Sequence, residues 1–204
     1  MDIQLSPDRT AIQDAVASLC SQFDDVYWLE KDKAGGFPTE FFQALAQAGW
    51  LCICIPEAYG GAGLGITEAA IMMRTIAESG AGLSGASAVH MNIFGLSPVV
   101  VFGTDEQKRR MLPPVVAGQE RTCFAVTEPN TGLNTTHLRT AARRQGDRYL
   151  VNGQKVWIST AQVAEKILLL ARTTPLEEVE KPTQGLSLFY TDFNRDQISV
   201  REID

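Results

Sequence analysis

The spacing of apolar residues changes near residue 120, and a chain that does this must build two kinds of unit. Before that point apolar residues recur about every 3.6 positions, the period of one helix face. After it they come in short runs bounded by turn residues, the pattern of strands. Helices in one block and strands in another mean separate α and β units, not an alternating α/β sheet. The reading is an α-helical domain at 1–120 and a β domain at 121–204. At ~150 residues per domain, the 204 residues suffice for one large core or two small ones without disulfide or metal staples.

In the first block, Ser6 is placed to cap a helix with Pro7 at its first position. Ala11, Ile12, Ala15, Val16, Leu19, Cys20 and Phe23 form its apolar stripe. Pro38 and Thr39 open a second helix carrying Phe41, Phe42 and Leu45, stopped by Gly49. A third runs from Thr67 to Gly80. A fourth covers roughly 86–102, is apolar on most faces and so should be buried, with Pro98 kinking or breaking it. Thr104-Asp105-Glu106-Gln107 is a capping box that opens a fifth, with Lys108, Arg109 and Arg110 on its wet side.

In the second block, 122–127 reads as a short strand. Tyr149-Leu150-Val151, Asn152-Gly153 and then 154–159 reads as a hairpin, because Asn-Gly accepts positive φ at both centres of a type I′ turn. Further strands are expected at 167–171 and 186–191, with another at 198–201. The stretch 174–185, with Pro, Glu and Lys, reads as a solvated loop.

Composition removes several function classes. Lys plus Arg is 18 and Asp plus Glu is 24, a net charge of −6, which disfavours nucleic acid. The longest uninterrupted apolar runs, 51–55 and 167–171, are far short of the ~18 residues of a membrane span. The N-terminal residues carry early acids and no apolar stretch, so neither a secretory nor a basic transit leader is expected. Cys20, Cys52, Cys54 and Cys123 form no C-x-x-C pair and read as reduced thiols, hence a cytoplasmic location. With two histidines, His90 and His137, a zinc site is not expected.

Two motifs are decoys. Gly60-Gly61-Ala62-Gly63-Leu64-Gly65 resembles a dinucleotide phosphate loop, but G-x-G-x-x-G would need glycine at Ile66, and no strand-end acid follows about 20 residues on. The reading is a flexible turn before the third helix. Ser84 sits among glycines, but Ala86 stands where a nucleophile elbow needs glycine.

The chemistry lies in the strand block. Phe124-Ala125-Val126-Thr127-Glu128-Pro129-Asn130-Thr131-Gly132, followed by Asn152-Gly153-Gln154-Lys155-Val156-Trp157-Ile158-Ser159, resembles the acyl-CoA dehydrogenase family. Pro56-Glu57-Ala58-Tyr59-Gly60-Gly61 and Gly103-Thr104-Asp105-Glu106-Gln107-Lys108 match two more of its motifs, in the same order. The resemblance covers nearly the whole chain. It implies an N-terminal helical bundle followed by an incomplete antiparallel β-barrel domain. It also implies FAD, held by Phe124, Val126, Thr127, Gly132, Trp157, Ile158 and Ser159. A flat, largely apolar ring with polar edge atoms calls for that mix of apolar, aromatic and hydroxyl groups.

The implied reaction is α,β-dehydrogenation of an acyl-CoA thioester, with hydride passing to the flavin and its electrons then to an electron-transfer flavoprotein or similar acceptor. Leu133 and Asn134 stand where many members have Ser-Asp at the mouth for substrate and CoA. His90 and Asn92, on the fourth helix, would face the acyl chain, although His90 also reads as a satisfied core histidine. Members take the α proton with a glutamate of a C-terminal helical domain. The chain ends at Asp204, roughly halfway along a member, so the resemblance implies no catalytic residue within it. It further implies that these residues alone are inactive, and that a longer form is a tetramer or dimer. Glu128 is not a substitute base, because it precedes Pro129 in a turn and matches a structural position. The alternatives are an acyl-CoA oxidase or another flavoenzyme of the superfamily, or a non-catalytic assembly module.

Overall fold

The structure, a computed structural model, describes residues 5–203, so the reading of residues 1–4 lies outside it. The chain divides into two compact units, Met1–Glu120 and Arg121–Asp204.

The first unit begins with α1 (Pro7–Cys20), capped by the Ser6 side chain with Pro7 at its start. Phe23 lies past its end but still packs on the core. A helix that the periodicity does not reveal follows, α2 (Asp25–Ala34). Asp24 accepts the Tyr27 N–H at 2.9 Å to cap it, and Lys31 and Lys33 occupy its last turn, where they favour the carbonyl end of the dipole. It shows no apolar stripe because only Trp28 is buried, while Val26 and Leu29 face solvent. The helices α3 (Thr39–Gln47) and α4 (Ile66–Ile76) follow. The expected fourth helix is broken into α5 (Gly82–His90), a π turn at Met91–Gly95 and α6 (Ser97–Phe102). The break falls just ahead of Pro98, whose ring cannot continue the preceding turn. The capping box opens α7 (Asp105–Val116), with Thr104 Oγ1 accepting the Gln107 N–H at 3.2 Å and Gln107 Oε1 accepting the Thr104 N–H at 2.9 Å.

Val16, Phe41, Leu45, Met72, Ile76 and Val89 form the centre of this unit's core. Phe23, Tyr27, Trp28 and Phe41 meet edge to face at 5.0–5.2 Å. Taken as one helical run, Ile66–Phe102 is long and apolar enough to cross a membrane, which the short runs of the sequence do not reveal. Half of its most apolar window is buried inside the unit.

The glycine-rich segment is a turn, and it is tightly bonded rather than flexible. The N–H groups of Ala62, Gly63 and Leu64 donate to the carbonyls of Cys52, Ile55 and Ile53 at 2.9–3.1 Å. Those amides are used internally, which is why the loop cannot cradle a phosphate.

The second unit is an open five-stranded sheet: β1 (Thr122–Ala125), β2 (Ala141–Gln145), β3 (Arg148–Asn152), β4 (Lys166–Arg172) and β5 (Leu186–Asp192). The sheet is mixed, where an antiparallel one was expected. On one edge β4 pairs in parallel with β1 and, at Ala141↔Arg172, with β2; on the other it pairs antiparallel with β5. A central strand shared on both edges reads as a near-continuous apolar run, here Ile167 to Ala171.

The hairpin is displaced from Asn152-Gly153. It joins β2 to β3 with Gln145 opposite Arg148, so Gly146-Asp147 is the turn, and Gly146 has φ 64°. Neither Asn152 nor Gly153 has positive φ, so a type I′ turn is absent there, and 154–159 is not a strand. Gly153 serves another purpose: a Cβ there would stand 2.2 Å from Thr140 Oγ1. The stretch 198–201 is likewise no strand, although Ile198 packs on the core.

A Cβ at Gly61 would stand 1.9 Å from the Ile55 carbonyl oxygen. Gly61→Ala should therefore destabilise the helical unit by about 1–3 kcal/mol, the usual penalty of overpacking, read as a lower urea midpoint. An unchanged midpoint would mean that the turn does not close on Ile55.

Candidate functional site

The end of β1 and the segment that carries Trp157 are joined directly. The Val156 N–H donates to the Thr127 carbonyl at 2.9 Å, and Lys155 Nζ donates to the Val126 carbonyl at 2.9 Å. Residues 126–127 and 155–157, separated by some thirty positions of chain, thus become neighbours. After Thr127 the chain reverses at Pro129-Asn130, with Glu128 and Thr131 exchanging N–H···O bonds at 3.0 Å.

Glu128 holds this corner together. Its carboxylate accepts the Arg139 N–H at 2.6 Å, the Thr140 N–H at 2.8 Å, the Thr140 hydroxyl at 2.5 Å and Lys155 Nζ at 3.0 Å. The Glu128 and Lys155 side chains are only 7% and 9% exposed. Burial pushes the Glu128 carboxyl up, but the Thr140 hydroxyl, the two N–H groups and Lys155 outweigh it and hold it at about 2. Burial pushes the Lys155 ammonium below its ordinary value, with Glu128 opposing. A carboxyl so deeply ionised cannot serve as a base poised near neutral pH, in keeping with a structural role for Glu128.

The segment after Lys155 is strained and outward-facing. Trp157 has φ 62° and Thr160 φ 71°, a left-handed backbone that costs bulky and β-branched residues of order 1–3 kcal/mol each. Trp157 is 70% exposed, so it is no part of the sheet's core. Ile158 between them packs against a core of Cys123, Ala125, Ala161, Ala164, Ile167 and Phe193 and pins the segment. Ser159 is exposed and Thr127 half-buried, and neither hydroxyl is hydrogen-bonded to another described residue. Phe124 and Val126, half-buried, alternate with the core residues Cys123 and Ala125 along the strand. Burial pushes the Cys123 thiol up to about 12, with Arg195 opposing, so it is no nucleophile at neutral pH.

Gly132, Leu133 and Asn134 form an exposed loop. Nothing lies within 4 Å of a Cβ built at Gly132, and the Leu133 side chain is entirely in solvent. A flavin ring calls for an apolar face and a few polar groups for its edge, and Trp157, Thr127 and Ser159 are of that chemistry.

His90 and Asn92 belong to the helical unit. The Ser87 carbonyl lies 2.6 Å from His90 Nδ1 and can only accept, so that nitrogen carries the proton. The His90 ring also leans on Phe94 at 5.2 Å. The histidine is therefore locally satisfied. Asn92 is buried in the π turn, and its Nδ2 has no partner among the described residues. Sequence reasoning did not single out Lys155, Thr140 or Arg172. Lys155 stood in a recognised motif, but its partner Thr140 carried no signal beyond an ordinary polar residue.

Residues 6–119 match the family model described as acyl-CoA dehydrogenase, N-terminal domain, and residues 123–204 the model for the middle domain. The chain is 35% identical over 168 residues to an acyl-CoA dehydrogenase of Mycobacterium tuberculosis, covering 82% of this chain and 43% of that protein. It is 32% identical over 174 residues to a caffeyl-CoA reductase–Etf complex subunit of Acetobacterium woodii, covering 84% and 44%. A solved structure of a probable acyl-CoA dehydrogenase of Mycobacterium abscessus superposes with a TM-score of 0.85 at 27% identity, over 98% of this chain and 52% of that one. The chain spans less than half the length of the curated relatives it matches.

The Glu128 corner gives the site an acid limit. Its carboxyl is held at about 2 against an ordinary 4.5, so the stability it contributes is complete above about pH 4.5 and is lost as pH falls toward 2. Urea denaturation between pH 6 and pH 3 should show this loss, and Glu128→Gln should flatten it. At pH 7, Glu128→Ala should cost about 3–5 kcal/mol, the penalty for stranding a buried partner, and the Glu128→Gln/Lys155→Met double variant less. Equal slopes with and without Glu128 would refute the clamp.

Proposed function

Since the chain belongs to the acyl-CoA dehydrogenase family, we propose that it forms part of a flavoenzyme that dehydrogenates an acyl-CoA thioester between its α and β carbons. The supporting observation is the junction of Val126-Thr127 with Lys155-Val156, which joins the strand that carries Thr127 to the segment of the strained, exposed Trp157 and of Ser159. Bound FAD would supply the hydride acceptor. Trp157 offers the ring an apolar face, and the Thr127 and Ser159 hydroxyls donate to its polar edge. Phe124 and Val126 exclude water from the strand side, Ile158 anchors the segment from beneath, and Gly132 leaves room for close approach.

Leu133 and Asn134 border the CoA arm. In the helical unit, the unpartnered Asn92 amide is the group able to meet a polar atom on an acyl chain, whereas His90 already has Ser87. The α proton is not assigned to any residue of this chain, because Glu128 is bonded and ionised. An electron-transfer flavoprotein is the proposed acceptor and a dimer or tetramer the proposed assembly, by family likeness. The relative in the Acetobacterium caffeyl-CoA reductase–Etf complex supports a second reading, the same chemistry in reverse, as reduction of an α,β-unsaturated thioester. Four free thiols, three of them buried, favour a reducing compartment such as the cytoplasm, and a role in fatty acid metabolism follows from the substrate class.

Two exposed side chains test this cleanly, because neither contributes to the core. Trp157→Ala in the full-length protein should weaken FAD about two- to tenfold, the scale of one aromatic stack, with stability unchanged within about 0.5 kcal/mol. Unaltered FAD content and flavin absorbance would remove Trp157 from the site. Leu133→Ser should shift the KM for butyryl-CoA and octanoyl-CoA while leaving FAD content alone. The same KM for both substrates in both proteins would place Leu133 away from the CoA arm.

A further inference from the structure

At the end of β4 lies Arg172, which is 7% exposed and has no carboxylate within ion-pair distance among the described residues. Its guanidinium is instead divided between two loops. Nη2 donates to the Thr136 carbonyl at 2.5 Å and to the Pro182 carbonyl at 3.0 Å. Nη1 donates to the Gln184 carbonyl at 3.0 Å and to the Thr174 carbonyl at 3.4 Å. Nε has no partner.

A buried cation balanced only by carbonyl dipoles is a poor device for stability, since an apolar side chain of similar size would avoid the desolvation. What a planar fork does, and a point charge or an apolar chain cannot, is fix two separate loops at a set spacing. One of them, 132–137, carries Leu133 and Asn134. Its other bonds are local: Thr131 Oγ1 to the His137 carbonyl, Thr136 Oγ1 to Asn134 Oδ1, and the His137 N–H to the Asn134 carbonyl. Arg172 ties that loop to the sheet and to the exposed loop 173–185.

We infer that Arg172 is the positioning residue of the CoA-bordering loop. By holding Thr136 it sets where Leu133 and Asn134 stand, and through Pro182 and Gln184 it couples their position to the loop 173–185. The inference rests on the reading of 132–134 as the border of the CoA arm.

The experiment compares wild type, Arg172→Lys, Arg172→Met, Pro182→Gly and Arg172→Met/Pro182→Gly in the full-length protein. It measures FAD content, kcat and KM for butyryl-CoA and octanoyl-CoA, and amide exchange at residues 134–138. Arg172→Met should raise both KM values about tenfold with kcat and FAD content within about twofold, and should speed exchange at 134–138 but not at Val151. Arg172→Lys should recover part of the KM. Pro182→Gly should raise KM in wild type and add little to Arg172→Met, the non-additivity of coupled sites. A parallel fall in kcat, FAD content and stability, unmoved exchange, or additive KM effects would each overturn the inference. If wild type turns over no acyl-CoA, the functional reading fails, and the exchange data alone decide whether Arg172 positions the loop.

Discussion

The Glu128–Lys155 pair is the contact on which the rest of the β unit's candidate site depends. Two opposite charges leave water together, which is favourable only if the remaining lone pairs and protons are also satisfied. Here they are, because Glu128 receives two backbone N–H groups and a hydroxyl besides Lys155, and Lys155 spends a second proton on the Val126 carbonyl. The result is a knot of three chain segments: the end of β1, the start of β2 and the stretch before Trp157. None of these is joined to another by ladder bonds alone. The knot, together with Ile158 packed in the core, holds the left-handed backbone at Trp157 and Thr160 against relaxation.

From that knot the unit divides its surfaces. Side chains facing one way from β1 and Ile158 meet Ala164, Ile167 and Phe193 in a small dry core. Trp157, Ser159, Gly132 and Leu133 are left outside it. An exposed indole held in a strained backbone gains little from packing within this unit. The helical unit makes a related compromise at the π turn Met91–Gly95, where Asn92 is buried with an unused amide donor. Such turns commonly mark functional positions in helices.

The helical unit was largely legible in the sequence. The Ser6 and Thr104 caps were found because a cap is a local rule, in which a short side chain meets an N–H two or three residues on. The stripes of α1, α3 and α4 were found because burial of one face imposes the helical period. Helix α2 escaped for the same reason, since it buries little besides Trp28. In the β unit, local reasoning misplaced the hairpin. Asn152-Gly153 has the composition of a tight turn, yet Gly153 is there because Thr140 presses against it, and Gly146-Asp147 makes the turn.

The candidate site divides along the same line. Residue types and their order in the motifs around 124–132 and 152–159 were enough to identify the family and to mark Thr127, Trp157 and Ser159 as candidates, because a motif is a property of sequence. They could not say that Lys155 meets Glu128, that Arg172 bridges two loops, or that Ile158 turns inward while its neighbours stay in solvent. Those facts come from contacts between residues far apart in the chain. Parallel pairing of β1 with β4 and the closure of long loops, neither of which leaves a local pattern, bring them together. The sequence by itself determined most of the helices and the family to which the chain belongs. The tertiary structure alone decided which of those groups are buried and paired and which are left free, because burial depends on what the remainder of the chain places against each side chain.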